Sequence, residues 1–488
     1  MPPPTVLMIG SEAVPFAKTG GLADVLGALP VALSRLGWPA TVALPRYRGV
    51  DQGTLVERFT LGVGGSTFDV GIFEAPMASG ARALLVDCPE LFDRDALYSV
   101  DNVDYPDNAR RFALLVRAAL EFSGRRGAGP SIVHAHDWQA GLAPVYLKTL
   151  YATHPILGGT PSVFTIHNLA YQGLVEPDWL PRLDLPWNLY TMEQLEFYGR
   201  ISFLKGGIVN ADAITTVSPR YAQEIQTPEL GFGFDGILRR RASDLTGILN
   251  GIDVEEWDPS NDPLLPQPFS VDDLSGKAVA KRALLARQGL PTDDKAMATP
   301  MIGVISRMVD QKGFDLLESV ADELVGLDAT IVVLGSGETR YQDLWRRLAG
   351  EHPTRIAAHI GFDEALAHLI EGGADIFLMP SQFEPCGLNQ MYSLRYGTVP
   401  VVHAVGGLAD TVRDYQPGSP EGEATGFLFY EYSGQAMLEA LNRALAVFRD
   451  EPRWRAIQAA GMRQDHSWDR SAREYVKIYD RAIGQAQG

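Results

Sequence analysis

The sequence predicts an α/β protein with two domains, each built around a doubly wound parallel sheet. Short apolar runs rich in β-branched residues alternate with longer amphipathic stretches, the pattern expected of strand–helix units that bury a parallel sheet. These runs form two series, and a proline-rich segment at residues 255–273 separates them. The chain has 488 residues, too many for one ordinary hydrophobic core, which also favours more than one domain.

The apolar runs give the positions of the predicted strands. The first series lies at 5–10, 41–45, 83–88, 131–136, 162–167 and 213–218. The second series lies at 301–306, 330–337, 357–362, 375–381 and 399–404. Prolines between the series break any regular element, so we place the domain boundary just after the sequence LNGID. The predicted domains are therefore 1–253 and 254–457, followed by a C-terminal segment 458–488.

The C-terminal segment is predicted to contain an amphipathic helix. Its apolar residues recur at intervals of three or four, at Trp468, Ala472, Tyr475, Tyr479 and Ile483. This spacing places them on one face of a helix, which should pack on a neighbouring element.

Composition and charge indicate which class of ligand the protein binds and in which cellular compartment it acts. The net charge of −18 disfavours nucleic acid as a partner and leaves a neutral or small anionic ligand as the better fit. The two cysteines, Cys88 and Cys386, lie far apart and suggest neither a disulfide framework nor a zinc site, so a reducing cytoplasm is expected. The sequence has no signal-peptide pattern and no apolar run long enough to predict a membrane span.

The five residues GGLAD occur twice, at 20–24 and at 406–410, each time between a predicted strand and a predicted helix. Bare amides and the positive dipole end at such a helix start can bind an anion at the carboxyl edge of a sheet. Either glycine pair alone could simply permit a tight turn, but the repetition favours two anion-binding loops. The chain lacks the glycine patterns of nicotinamide and Walker-type phosphate sites.

Two cations and a carboxylate follow strands of the second series. Arg307 and Lys312 come after the first of them and suit a diphosphate, although a solvated surface loop is the alternative interpretation. Glu384 precedes a predicted helix start, so its carboxylate and the amides of 386–389 could together hold sugar hydroxyls. Alternatively, Glu384 caps that helix.

In the first series, His134 and His136 end one strand and Asp137 follows it, while His167 ends the next. The two histidines of the first strand share a face only if the strand continues through both, and the sequence supplies no third metal ligand. We therefore predict a buried, hydrogen-bonded His134, a ligand-binding role for Asp137 and His167, and no metal.

Taken jointly, these motifs resemble bacterial glycogen synthases and the related starch synthases. The resemblance runs in order along the whole chain through KTGGLADV, HAHDWQAGLAP, FTIHNLAYQG, ISFLKGGIVNADAITTVSP, LNGID, SRMVDQKG, PSQFEPCGLNQ and VGGLADTV. It implies a GT-B fold, in which two Rossmann-like domains face a deep cleft and the C-terminal helix returns to the first domain. It also implies transfer of glucose from ADP-glucose to the non-reducing end of an α-1,4-glucan, with retention and without a metal or other cofactor. The first domain would lie on the glucan acceptor side and the second on the nucleotide-sugar side.

The resemblance also implies roles for individual residues. The diphosphate contacts fall on Lys18, Arg307, Lys312 and the amides of Gly20, Gly21, Gly406 and Gly407. The glucose contacts fall on His167, Asn250, Glu384, Cys386, Gly387 and Leu388. Asp137 is the acceptor-side carboxylate, and Phe362 lies against the adenine. Gln382 and Asn389 depart from the family, since many bacterial members have arginine and threonine there; Asn389 can still donate to a phosphate oxygen.

Two questions stay open at the level of sequence. Retention is compatible with a double displacement through Glu384 or Asp137, or with same-face attack, which we favour because no activated nucleophile is evident. The alternative functions are another GT-B transferase with a different nucleotide sugar or acceptor, and a non-catalytic protein that binds a sugar nucleotide or glucan.

Overall fold

The computed structural model describes residues 3–100, 103–127, 129–420 and 422–487. Backbone contacts divide the chain into two compact units: unit 1 is Met1–Gly251 with Trp468–Gly488, and unit 2 is Ile252–Ser467. The first segment of unit 1 ends at Gly251, two residues before the predicted end of the first domain at residue 253. Residues 458–467 group with unit 2, because the helix Glu451–Met462 buries Trp454 and Ile457 in the core of that unit.

Unit 1 contains the strands of a large main sheet and several short strands outside that sheet. Its strands are β1 Val6–Ile9, β2 Ala40–Pro45, β3 Thr54–Val63, β4 Ser66–Pro76, β5 Arg82–Asp87, β6 Ser99–Val100, β7 Val103–Asp104, β8 Ile132–His136, β9 Ser162–Ile166, β10 Leu174–Val175, β11 Glu196–Phe197, β12 Arg200–Ser202, β13 Ala213–Thr216 and β14 Leu245–Gly247. Its helices before the C-terminal one are α1 Gly21–Arg35, α2 Pro89–Phe92, α3 Asn108–Arg125, α4 Asp137–Ala140, α5 Leu142–Lys148, α6 Trp179–Arg182, α7 Phe203–Asn210, α8 Pro219–Glu224 and α9 Asp235–Arg240. Short 3₁₀ turns lie at Ala78–Gly80 and Trp187–Leu189.

The main sheet of unit 1 has nine strands in the described part of the chain, in the order β14-β13-β9-β8-β1-β2-β5-β4-β3. The strands from β14 to β5 are parallel, and every strand predicted for the first series is confirmed within them. The antiparallel hairpin β3/β4 extends one edge and was not predicted. Alternate residues of β3 are exposed, so its sequence lacks the continuous apolar run of a buried strand.

Unit 2 is a more regular alternation of strands and helices. Its strands are β15 Met301–Ile305, β16 Thr330–Gly335, β17 Ile356–Ile360, β18 Ile376–Met379, β19 Val399–His403 and β20 Phe427–Phe429. Its helices are α10 Ser275–Arg287, α11 Asp294–Ala298, α12 Phe314–Ser319, α13 Ala321–Gly326, α14 Thr339–Glu351, α15 Glu364–Gly373, α16 Asn389–Arg395, α17 Gly406–Thr411, α18 Gly434–Phe448 and α19 Glu451–Met462. A 3₁₀ turn covers Asp310–Lys312.

The sheet of unit 2 is parallel throughout, in the order β17-β16-β15-β18-β19-β20. The second predicted strand series is therefore confirmed, and only the three-residue β20 was missed. Two clusters of buried apolar side chains cover the two faces of this sheet. This arrangement is the doubly wound architecture that the sequence predicts.

The strand order locates a ligand-binding edge in each unit. In both sheets the first strand lies between the second and the fourth of the doubly wound set: β1 between β2 and β8, and β15 between β16 and β18. The connections on either side of this position run in opposite directions, which leaves a crevice at the carboxyl ends of the strands. Residues that follow β1 and β8, or β15 and β18, are therefore placed to bind a ligand.

The C-terminal helix, α20 Trp468–Gln487, completes unit 1 by packing on α1 and β9. Its predicted apolar face is confirmed at Trp468, Ala472, Tyr475 and Tyr479, which are buried. The Tyr479 hydroxyl lies 2.8 Å from Nδ1 of the buried His134. No helix among the described residues has both the length and the apolar character needed to cross a membrane.

We predict that Tyr479→Phe destabilises unit 1. The substitution removes a partner from a fully buried histidine nitrogen, which should lower the free energy of unfolding by about 1–3 kcal/mol. For a domain of this size, each kcal/mol should lower the Tm by about 2–4 °C in a calorimetric scan. The control is Lys477→Ala on the exposed face of α20, expected within about 0.5 kcal/mol of the parent. An unchanged Tm for Tyr479→Phe would contradict this role of α20.

Candidate active site

A buried carboxylate organises the loop that follows β1. Glu12 accepts hydrogen bonds from the backbone amide and the hydroxyl of Thr19, from the amide of Gly20 at 3.3 Å, and from the hydroxyl of Tyr98. Only 3% of Glu12 is exposed. The carboxylate thus holds the loop that carries Lys18 against the carboxyl end of the sheet, and nothing in the sequence pattern predicted this role.

Lys18 lies at the exposed tip of this loop, just before helix α1 begins at Gly21. Its side chain is 55% exposed, and Nζ lies 2.6 Å from Oδ1 of Asp24 in the first turn of the helix. Burial raises the pKa of Asp24 above its ordinary value, although Lys18 opposes the shift. The lysine is therefore held by one carboxylate but is accessible to an anion from solvent.

Asp137 follows β8 directly and has an unusual backbone conformation, with φ at 56°. Its Oδ1 accepts hydrogen bonds from the amides of His167 at 2.7 Å and Asn168 at 3.4 Å. Burial raises the pKa of this carboxyl to about 7, although the amides lower it. The structure therefore joins the two predicted first-unit residues Asp137 and His167 at the ends of adjacent strands.

His167 is one of three buried histidines whose rings lie in a row, together with His134 and His136 on β8. His134 and His136 lie on the same strand with ring centroids 4.0 Å apart, and Nδ1 of His136 lies 3.0 Å from Nε2 of His167. His134 is confirmed as a buried, hydrogen-bonded residue, because Nε2 lies 2.6 Å from the hydroxyl of Thr165 and Nδ1 contacts Tyr479. Burial lowers the pKa of His134 and of His167 to about 3, so both rings are neutral at physiological pH.

Asn250, the remaining predicted contact from unit 1, is 5% exposed. Its side-chain oxygen is buried and has no hydrogen-bond partner among the described residues. A buried amide oxygen without a partner is costly, and a ligand hydroxyl would satisfy it.

In unit 2 the central feature is an ion pair. Nζ of Lys312 lies 2.6 Å from Oε2 of Glu384, which also accepts a hydrogen bond from the Ser381 hydroxyl at 3.0 Å. The side chain of Glu384 is 7% exposed and that of Lys312 is 20% exposed. The structure thus brings together two predicted residues 72 positions apart, from the ends of the adjacent strands β15 and β18.

Gln311 fastens the two loops that carry this pair. Its side-chain amide donates to the carbonyl of Phe383 at 2.7 Å, and its carbonyl accepts from the amide of Gln382 at 3.0 Å. Arg307 is exposed, and its guanidinium lies 3.4 Å from the Gln311 side-chain oxygen. Arg307 is therefore available to a ligand on the same edge as Lys312, and Gln311 is a positioning residue that the sequence did not indicate.

The second glycine pair packs against the loop that carries Glu384. A Cβ at Gly406 would lie 1.9 Å from the carbonyl oxygen of Glu384, and one at Gly407 would lie 2.0 Å from that of Cys386. Gly407 donates its amide to the carbonyls of Glu384 and Pro385 at 3.1 and 3.2 Å. Close backbone approach therefore requires glycine at both positions, and the Gly407 amide is engaged within the protein.

The remaining predicted residues of unit 2 lie on this loop, at the start of α16 or after the edge strand β17. Leu388 is the residue just before α16, at its N-cap position, and Gly387 has φ at 71°, which favours glycine. Cys386 is buried, and the side chain of Asn389 donates to the carbonyl of Ile305 at 3.0 Å, so one of its two N–H groups is engaged. Phe362 follows β17 and is 89% exposed, as an adenine platform would be.

Among the described residues, one group of acidic and histidine side chains is close enough to hold a metal ion, namely Glu256, Glu364 and His368. It shares no residue with the sites above.

Comparisons with known families cover most of the chain. Residues 5–240 match the starch synthase catalytic domain, and residues 292–460 match the glycosyl transferases of group 1. A glycogen synthase from Koribacter versatilis is 49% identical over 480 residues, which is 98% of each chain. One from Anaeromyxobacter dehalogenans is 51% identical over 97% of this chain and 98% of its own.

Solved structures agree with this relationship. The catalytic domain of starch synthase IV from Arabidopsis thaliana, solved bound to ADP and acarbose, superposes with a TM-score of 0.88 at 32% identity and covers 99% of both chains. A sucrose-phosphate synthase from Thermosynechococcus elongatus, at 15% identity and a TM-score of 0.61, shares the fold alone. The match to starch synthase confirms the GT-B fold. From its extent of identity to the glycogen synthases, the chain belongs to the bacterial glycogen synthase family.

Proposed function

We propose that this protein transfers glucose from ADP-glucose to the non-reducing end of an α-1,4-glucan, with retention of configuration. The observation that carries the proposal is the cluster of Arg307, Lys312 and Glu384 at the carboxyl ends of neighbouring strands. Two cations suit a diphosphate, and a carboxylate beside them suits sugar hydroxyls. The family relationship supports the same reaction, since near-full-length relatives are glycogen synthases.

On the donor side, Arg307 and Lys312 bind the diphosphate and Glu384 accepts hydrogen bonds from glucose hydroxyls. In this proposal the diphosphate takes Lys312 from Glu384 when the donor binds, and the glucose hydroxyls replace Lys312 at the carboxylate. Phe362 offers an exposed aromatic face to the adenine. Lys18 contributes a third cation, and the buried oxygen of Asn250 accepts from a sugar hydroxyl.

Catalysis in this proposal depends on positioned charge. Negative charge develops on the departing ADP when the glycosidic bond to phosphate breaks, and preorganised cations stabilise it without a metal or cofactor. We favour attack by the acceptor hydroxyl on the face that the phosphate leaves, with its proton passing to the departing phosphate, over a double displacement. Glu384 accepts hydrogen bonds from Ser381 and, in this proposal, from the glucose hydroxyls, and Asp137 is held by two backbone amides, so neither carboxylate is placed as a free nucleophile.

The reaction is tested by incubating the purified protein with radiolabelled ADP-glucose or UDP-glucose in the presence of glycogen. Incorporation of label into polymer from ADP-glucose supports the proposal. Incorporation from UDP-glucose only, or into a small acceptor only, would indicate a different GT-B transferase. Binding of ADP-glucose without any transfer would indicate a non-catalytic binding protein.

We also propose that the protein acts in the cytoplasm. Its cysteines, Cys88 and Cys386, are both buried and outside any disulfide, which suits a reducing compartment.

We predict that Glu384→Gln lowers kcat/KM for ADP-glucose on the order of 10²-fold. The substitution keeps the shape of the side chain but removes the negative charge that accepts hydrogen bonds from the sugar hydroxyls. The control is Glu351→Gln, an exposed glutamate on α14 that pairs with Arg347 and should leave turnover unchanged. Parental kinetics for Glu384→Gln would contradict the assigned sugar contact.

We predict that Lys18→Ala lowers kcat on the order of 10²-fold, with a small change in KM. Lys18 belongs to a different unit from the two other cations, so we expect it to act chiefly on the charge that develops in the transition state. Lys18→Arg should recover only part of the loss, because a wide planar fork replaces a compact ammonium. Steady-state kinetics with ADP-glucose varied at saturating glycogen distinguish an effect on kcat from an effect on KM. A large rise in KM at constant kcat would show that Lys18 serves ground-state binding instead.

Transfer should persist in EDTA, because positioned side chains supply the charge in the proposed mechanism. The measurement compares initial rates before and after dialysis against EDTA. A loss of activity that magnesium or manganese restores would refute metal-independent catalysis.

A further inference from the structure

We propose that unit 2 carries a binding site for a divalent transition metal ion, formed by Glu256, Glu364 and His368. Two carboxylates and one imidazole are a ligand set that Zn²⁺ accepts, with water in the remaining position. This site is independent of the proposed reaction, because none of the three residues is among the predicted substrate contacts.

The fold gathers the three ligands from two distant parts of the chain. Glu364 and His368 lie four residues apart on α15, so they share one face of that helix. Glu256 lies in the segment just after the start of unit 2. One ligand atom from each residue lies within 4.8 Å of the others.

One nitrogen of the His368 imidazole is held by a buried carboxylate, which leaves the other nitrogen for a metal ion. Its Nδ1 lies 2.8 Å from Oδ2 of the buried Asp262, and the Tyr396 hydroxyl donates to the same oxygen at 2.6 Å. A carboxylate behind a histidine fixes the tautomer of the ring and raises the basicity of the other nitrogen. Here that other nitrogen, Nε2, is buried and has no hydrogen-bond partner among the described residues.

The ring of His368 is also fixed by stacking. The ring centroids of His368 and Trp257 lie 3.9 Å apart, at an interplanar angle of 15°. Trp257 also stacks on Tyr392, with ring centroids 3.9 Å apart and an interplanar angle of 11°. Trp257 adjoins Glu256 in sequence, so the same stack positions a second ligand. The imidazole side chain is 3% exposed, whereas both glutamates are exposed and can adjust to an ion.

The geometry is compatible with zinc after a small adjustment. Zinc binds histidine nitrogen and carboxylate oxygen at about 2.0–2.2 Å, so two ligand atoms of one tetrahedral ion lie about 3.4 Å apart. The ligand atoms of this group lie within 4.8 Å of one another, so the exposed glutamates need to move by at most about 1.4 Å. Mg²⁺ prefers oxygen ligands in an octahedron and is a poorer match to a set containing imidazole. Two carboxylates also neutralise the charge of one divalent ion.

A bound ion would join the segment at the start of unit 2 to the beginning of α15. We therefore expect it to stabilise unit 2 without being required for glucosyl transfer.

The test is isothermal titration of EDTA-treated, dialysed protein with ZnCl₂, together with the Tm at each zinc concentration. The parent should bind one Zn²⁺ and its Tm should rise, while excess Mg²⁺ should not displace the zinc. Glu364→Gln and Glu256→Gln should each weaken zinc binding at least about tenfold and remove the rise in Tm. These exposed positions are preferred to His368, whose substitution would disturb Asp262 and the stack.

The matched control is Glu255→Gln, which makes the same change of charge at the adjacent exposed residue outside the ligand group. It should bind zinc like the parent. Absence of saturable binding by the parent would overturn the proposal. Parental affinity in both Glu364→Gln and Glu256→Gln would also overturn it, since the zinc would then bind elsewhere.

Discussion

The ion pair between Lys312 and Glu384 is the interaction around which the active-site edge of unit 2 is arranged. A carboxylate with 7% exposure is costly unless it is paired and hydrogen-bonded, and Lys312 and Ser381 meet that requirement. Their positions depend in turn on neighbours, because Ser381 offers its carbonyl to His403 and Gln311 ties the loop of Lys312 to that of Glu384. This ion pair and the hydrogen bonds around it thus connect the ends of β15, β18 and β19.

Unit 1 uses a second buried carboxylate in a comparable way. Glu12 follows β1 and collects hydrogen bonds from Thr19, Gly20 and Tyr98, which holds the loop of Lys18 in place. The two GGLAD sequences therefore have different structural tasks. In the first, the amide of Gly20 donates a hydrogen bond to Glu12. In the second, Gly406 and Gly407 allow the backbone carbonyls of the Glu384 loop to approach the start of α17 closely. Only the first is preceded by a lysine, and that lysine is exposed toward solvent.

Much of the fold could be predicted from the sequence because buried parallel strands read as continuous apolar runs, and both strand series were found in this way. The β3/β4 hairpin was missed because one of its faces is exposed, and β20 because three residues give no periodicity. The predicted site residues could be named from motifs, but their pairing could not. Lys312 and Glu384 are 72 residues apart, and only the strand order makes them neighbours. Glu12 and Gln311 carried no signal, since a buried carboxylate and a loop-bridging amide look like any surface residue in sequence. The same holds for Glu256 and His368, which meet only after unit 2 has folded.

The central claim is that the donor diphosphate takes Lys312 from Glu384. The most direct measurement is the Kd of ADP, which carries the diphosphate but no glucose, determined by isothermal titration calorimetry for the parent and for Glu384→Gln. Removing the competing carboxylate charge should leave Lys312 to the diphosphate and tighten ADP binding at least about threefold. An ADP Kd that is unchanged or weaker in Glu384→Gln would contradict the account, because Lys312 would then not be exchanged between the two anions.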